Sequence, residues 1–115
     1  MKRYYFDYAA TTPMRKEVLK AMQPFWQKQF GNPSSLYLEG RIAKQTIESA
    51  RAKVANILRT QPKEIIFTNG GTESVNLALQ GTAHFYRQQF SHPKIIISSI
   101  EHPAGLETAK ALREE

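Results

Sequence analysis

The 115-residue sequence contains no cysteine. It therefore forms no disulfide and no cysteine–metal site, and this fits a cytoplasmic protein. No metal site is expected. No apolar run approaches the roughly 20 residues that a membrane-spanning helix needs. The opening Met1-Lys2-Arg3-Tyr4-Tyr5-Phe6-Asp7 lacks the extended apolar core and small-residue cleavage site of a secretory signal. Internal repeats, low-complexity tracts and Pro/Gly/Ser linkers are missing too, as are the Walker spacing and the dinucleotide fingerprint.

What is present fits one small soluble domain. Hydrophobic residues make up 41% and charged residues 23%. The net charge of +6 is uneven. Residues 1–60 hold eleven Lys/Arg against four acids, and residues 61–115 hold five against six. The bases are scattered, with no aromatic residues interleaved for stacking, so they read as solvated helix faces. Neither a nucleic-acid partner nor a membrane partner is expected.

Along the chain, Tyr4–Tyr8 reads as extended and Ala9–Pro13 as a turn. Thr11 or Thr12 can cap a helix with Pro13 in its first turn. That helix carries Met14, Val18, Met22 and Phe25, and Pro24 should bend or end it. Gly31–Ser35 is a loop by composition. A long helix is predicted from about Gly40 to Arg59, with Ile47, Ala50, Val54, Ile57 and Leu58 as its apolar stripe. Glu64–Thr68 and Lys94–Ser99 read as strands around a helix from about Thr72 to Phe90. Pro103 starts a last helix.

Strand, helix, strand is a βαβ unit, and continuous β-branched runs suit a parallel sheet covered on both faces. The expected fold class is therefore α/β. Two strands alone leave open apolar edges, and Leu112-Arg113-Glu114-Glu115 ends without a cap. The chain is thus expected to be cut or completed by a partner chain, with a small complete domain as the alternative.

The turn Thr68-Asn69-Gly70-Gly71-Thr72 joins the first of these strands to its helix. It reads in two ways from its residues. It is a plain turn capped by Thr72, or a phosphate cup in which the helix start offers unpaired N–H groups and the positive end of the dipole. From the residues alone, His102 reads as a helix cap or an exposed loop residue. Asn76, one turn past Thr72, is either a packing amide or a ligand to the cup.

Four segments stand in order: Tyr5–Pro13; Gly31-Asn32-Pro33-Ser34-Ser35 with Gly40-Arg41; Thr68–Ala78; and Ser98-Ser99-Ile100-Glu101-His102-Pro103-Ala104. Together they resemble the N-terminal part of cysteine desulfurases, in the class V branch of pyridoxal-phosphate-dependent aminotransferase-like enzymes. The likeness covers essentially the whole chain. It implies part of the large domain of a fold-type I transferase. Residues 1–60 would form the N-terminal segment and helices, and about 61–115 the start of the cofactor-binding α/β domain. It implies pyridoxal 5'-phosphate as cofactor, with its phosphate at Gly71 and Thr72, Asn76 nearby, and His102 stacked on the ring as a catalytic residue. Asp7, Asn32 and Arg41 match family segments without an independent role. Glu73 favours the helix start electrostatically. The family often has a histidine near Tyr37, where this sequence departs. His84 and His92 match nothing in it and read as surface residues.

The activity implied is conversion of L-cysteine to L-alanine. Sulfur would pass through an enzyme persulfide to an acceptor protein, as in iron–sulfur cluster assembly, in a homodimer. These residues supply no cysteine for the persulfide, and none of the nine lysines stands in the family's Schiff-base motif. The 115 residues alone are expected to be inactive. The alternatives are another class V enzyme, of selenocysteine lyase or serine aminotransferase type, or a non-catalytic truncated module.

Overall fold

Helical periodicity and the placement of Gly and Pro decide which segments acquire regular structure. The computed structural model describes residues 2–115. It contains α1 (Lys16–Gln27), α2 (Leu38–Leu58), a 3-10 turn (Pro62–Glu64), α3 (Gly71–Arg87) and α4 (Pro103–Glu114). The chain divides between Ile65 and Ile66 into two units. No helix is long and apolar enough to cross a membrane among the described residues.

In the first unit, α1 starts three residues later than the Pro13 reading, after Arg15, which makes no side-chain cap bond. Pro24 neither ends nor interrupts the assignment, and its carbonyl accepts from the N–H groups of Lys28 and Gln29. α1 buries no residue and packs against no other element among the described residues.

α2 buries Gly40, Ala43 and Ala55 rather than the predicted stripe; Ile57 and Leu58 are exposed. The Gly31–Ser35 loop lies against the first turn, where a Cβ on Gly40 would come within 2.4 Å of the Ser35 carbonyl oxygen. At the other end Arg59 takes the left-handed conformation (φ 55°, ψ 42°), and Thr60 N–H reaches back to the Ala55 carbonyl at 3.0 Å. That is the six-to-one closure that satisfies a helix end. The Glu64 carboxylate then accepts from Gln61 N–H at 2.8 Å and from the Thr60 hydroxyl. Arg51 ties this corner to α2 by donating to the Ile65 carbonyl.

The expected α/β fold is overturned. Among the described residues there is no strand, so neither the βαβ unit nor the parallel sheet of the fold-type I reading is present. Glu64 belongs to the 3-10 turn, and residues 65–68 and 94–99 carry no ladder. Their β-branched composition suggests strands, and neither segment forms one. A strand exists only through hydrogen bonds to a neighbour, and among the described residues neither segment is part of a ladder.

The second unit is a pair of parallel helices. Asn76 meets Thr108, and His84 meets Glu115. The contacts advance in the same direction along both helices, and Asn76 and Thr108 are each the sixth residue of their helix. The starts of α3 and α4 therefore lie at the same end. Residues 88–102 must carry the chain back along roughly 25 Å of α3. Pro93, Lys94 and Ile95 run beside Ala83 and Tyr86 on one side and beside Ala109 and Leu112 on the other. Ala83, Gly105, Thr108 and Leu112 are buried within the unit.

Candidate functional site

α3 begins at Gly71 after an extended Gly70 (φ 168°, ψ 179°). The turn before it is held by side chains. Thr68 Oγ1 donates to the Gly70 carbonyl at 3.2 Å and lies 2.7 Å from Ser74 Oγ. Glu73 Oε2 accepts from Asn69 N–H at 2.7 Å, and Ser74 N–H closes the first helical bond to Gly70 at 3.1 Å. The N–H groups of Gly71, Thr72 and Glu73 have no acceptor among the described residues, as expected of a first helical turn.

These residues border an open concavity of about 550 Å³, lined by Asn69, Gly70, Gly71, Thr72, Glu73 and Asn76. A Cβ on Gly70 or Gly71 would meet nothing within 4 Å. The glycines are not needed to avoid a clash, and they leave room at the mouth. Thr72 is exposed, and its hydroxyl has no partner among the described residues. The donor set is N–H and O–H, aimed from the positive end of a helix, which suits an anionic oxygen group such as phosphate. The residues present fit the phosphate of pyridoxal phosphate in that sense. No basic side chain lines the concavity, so the dipole and the amides carry the attraction. The carboxylate of Glu73 opposes it, although it is committed to Asn69.

Asn76 sits half-buried at the back of this concavity. Its amide meets the Thr108 hydroxyl, whose single proton is also within reach of the Ala104 carbonyl at 2.7 Å. Asn76 therefore both packs against α4 and borders the cup. Its Nδ2 has no partner among the described residues.

His102 is the N-cap of α4. Its Nδ1 accepts from Ala104 N–H at 3.1 Å, and its own N–H donates to Glu101 Oε1 at 3.1 Å. With Nδ1 engaged as an acceptor, Nε2 is the ring nitrogen left to donate. The structure thus gives His102 the cap role. The imidazole is exposed and is not among the residues lining the concavity. Both nevertheless belong to the same end of the parallel pair.

At the opposite end, Arg87 donates to the Leu112 carbonyl at 2.6 Å and to Glu115 Oε2 at 2.8 Å, and His84 Nε2 lies 3.1 Å from the same oxygen. The His84 hydrogen bond, with smaller help from the charges of His84 and Arg87, holds the Glu115 carboxyl below its ordinary value. His84 is exposed yet paired. No cluster of three or more His, Asp or Glu that could hold a metal occurs among the described residues.

The reading of the residues missed Thr108. Its signal is weak but present. Gly105, Thr108 and Leu112 recur at i, i+3 and i+7, so Thr108 is the polar residue on the inward face of α4.

Residues 4–115 match the family model "Aminotransferase class-V". A curated protein from Dictyoglomus turgidum, "Cysteine desulfurase IscS", is 50% identical over 115 residues, covering 99% of this chain and 29% of the relative. The protein of the same name from Methanosarcina thermophila is 50% identical over 107 residues, 93% of this chain and 26% of its own. "Putative cysteine desulfurase IscS 1" of Bacillus subtilis is 45% identical over 112 residues. A solved structure described as a NifS-like protein superposes with a TM-score of 0.89 at 41% identity, covering 98% of this chain and 30% of that one. The chain thus spans less than a third of the length of the curated relatives it matches.

Proposed function

The chain belongs to the class-V aminotransferase family, on its cysteine-desulfurase branch, and from that premise we propose that these residues form one wall of a pyridoxal-phosphate site in an enzyme that converts L-cysteine to L-alanine. The observation that carries the proposal is the set of three unpaired amides of Gly71, Thr72 and Glu73, beside the unpaired Thr72 hydroxyl and the Asn76 amide. When bound, pyridoxal phosphate supplies the electron sink for the reaction.

The chain's own residues bind and orient. The amides of Gly71 and Thr72 and the Thr72 hydroxyl hold the phosphate by charge-assisted hydrogen bonds. Asn76 adds its Nδ2–H donors from behind. His102, anchored through Nδ1, keeps its exchangeable proton on Nε2 and offers a flat ring to a planar ligand. Sulfur leaves through a cysteine persulfide to an acceptor protein. The sequence has no cysteine, so it does not itself carry that sulfur. A cytoplasmic homodimer is the setting proposed for the whole enzyme.

Titration of the isotope-labelled chain with pyridoxal phosphate, inorganic phosphate and pyridoxal tests the proposal. The amide resonances of Gly71, Thr72 and Glu73 should move with the two phosphate-bearing ligands and stay still with pyridoxal. Equal response to pyridoxal, or none to phosphate, would remove the phosphate-site reading.

A further inference from the structure

Gly105 is the third residue of α4 and is buried. Glycine is a poorer helix former than alanine, and no glycine among the described residues has the positive φ that would call for one. What excludes a side chain here is Glu101, the residue before the N-cap. A Cβ on Gly105 would lie 2.8 Å from Glu101 Cγ. The space of the missing methyl group is the seat of the Glu101 stem.

That seat decides where the carboxylate goes. Glu101 Oε1 accepts from His102 N–H, and His102 Nδ1 accepts from Ala104 N–H, each at 3.1 Å. Both donors are backbone N–H groups, which can only donate, so the direction of each bond is fixed. The His102 carbonyl accepts from Gly105 N–H at 2.9 Å, and Pro103 has no N–H to satisfy. The start of α4 is thus closed by its own residues, whereas the start of α3 leaves its amides open. An exposed imidazole ordinarily samples several χ1 wells. Here the peptide that leads into His102 is held on one side and the ring on the other, and a single orientation results.

We infer that Glu101, seated over Gly105, is a positioning residue for His102: it holds the ring orientation in which Nδ1 faces α4 and Nε2 is left free. The inference rests on the reading of His102 as the residue that offers its ring to a planar ligand. Glu101 acts through His102 and needs no contact with that ligand.

The test follows the His102 ring in the isotope-labelled chain by its χ1 coupling constants, by exchange of the Ala104 amide and by ring-proton shifts on adding pyridoxal phosphate. Inorganic phosphate serves as the probe of the α3 cup. Glu101→Ala should average the couplings over several rotamers and quicken Ala104 exchange by about five- to tenfold, the scale of one lost hydrogen bond. The ring shift caused by pyridoxal phosphate should shrink, while the Gly71–Glu73 amides answer inorganic phosphate as in the parent. Glu101→Gln keeps a carbonyl acceptor and should exchange within about twofold of the parent. Gly105→Ala should reproduce the Glu101→Ala changes although alanine is the better helix former, because the exposed Glu101 chain swings out of its seat. A glycine with a purely structural role would move helix stability and ring order together. Added to Glu101→Ala, Gly105→Ala should disturb the ring no further. An ordered ring in Glu101→Ala, or a further loss of order in the double variant, overturns the inference and leaves the reading of His102 in place. If pyridoxal phosphate does not move the ring protons of the parent, that reading and the inference fall together.

Discussion

The carbonyl oxygen of Ser35 occupies the space beside Gly40: a Cβ at position 40 would lie 2.4 Å from it and 2.6 Å from the Asn32 carbonyl oxygen. Both neighbours are backbone, and the Asn32 carbonyl already accepts from Ser35 N–H at 2.9 Å. Neither can move without opening the turn. Gly40→Ala should therefore destabilise the loop and the first turn of α2 by about 1–3 kcal/mol, the range for overpacking a tight contact. Amide exchange at Arg41–Lys44 should quicken, while α3 is unaffected.

Glu73 and Thr72 should respond in opposite directions to substitution. Glu73→Ala loses the bond to Asn69 N–H and should cost about 0.5–2 kcal/mol of helix stability, as for other lost caps. Glu73→Gln keeps an acceptor while removing the charge that opposes an anion, so it should bind pyridoxal phosphate more tightly than the parent. Thr72→Val should weaken that binding by about 1.5–3 kcal/mol through loss of a charge-assisted bond. Calorimetric titration checks the signs for Glu73→Gln and Thr72→Val, and thermal melts followed by helical circular dichroism check the loss in Glu73→Ala.

Arg59 is the one non-glycine residue with positive φ among the described residues. A left-handed residue with a Cβ costs roughly 1–2 kcal/mol, and the greater unfolded-state freedom of glycine offsets part of that. Arg59→Gly should stabilise α2 by about 0.5–1 kcal/mol. Arg59→Val should do the reverse. Thermal melts followed by helical circular dichroism distinguish them.

The Glu115 carboxyl is held below its ordinary value, first by His84 and then by Arg87. A lowered folded-state value means that the ionised carboxylate favours the paired helices. That contribution is fully present above the ordinary carboxylate value and disappears as pH falls through the lowered one. Acid titration should loosen the last turns of α3 and α4 below the ordinary carboxylate range. Glu115→Gln should remove that part of the pH dependence. The group is exposed, so the effect should be small and should shrink with salt.

Much of this was legible in the sequence because it depends on local chemistry. Pro103 and Gly70-Gly71 mark helix starts, and the Gln61-Pro62 break follows α2. Unpaired amides at the head of α3 follow from the existence of the helix itself. The misreadings have a common cause in distant contacts. The Ile47–Leu58 positions read as the apolar stripe of α2, but burial depends on what lies opposite, and Gly40, Ala43 and Ala55 are the buried residues instead. Glu64–Thr68 and Lys94–Ser99 read as strands of a sheet, but among the described residues neither forms a ladder. Thr108 went unnoticed because its partner lies 32 residues earlier, and a threonine in mid-helix announces nothing by itself.

Among the described residues the buried apolar side chains are only Ala43, Ala55, Ala83 and Leu112, three of them alanines. Helices open together when they share apolar contacts, and these share little. Each segment should therefore keep its own clock. In native-state deuterium exchange, α1 should label first. The 21-residue α2 should label inward from its ends. α3 and α4 should be slowed together only where Asn76 meets Thr108 and where Arg87 reaches Leu112, giving a ladder of lifetimes rather than one shared opening.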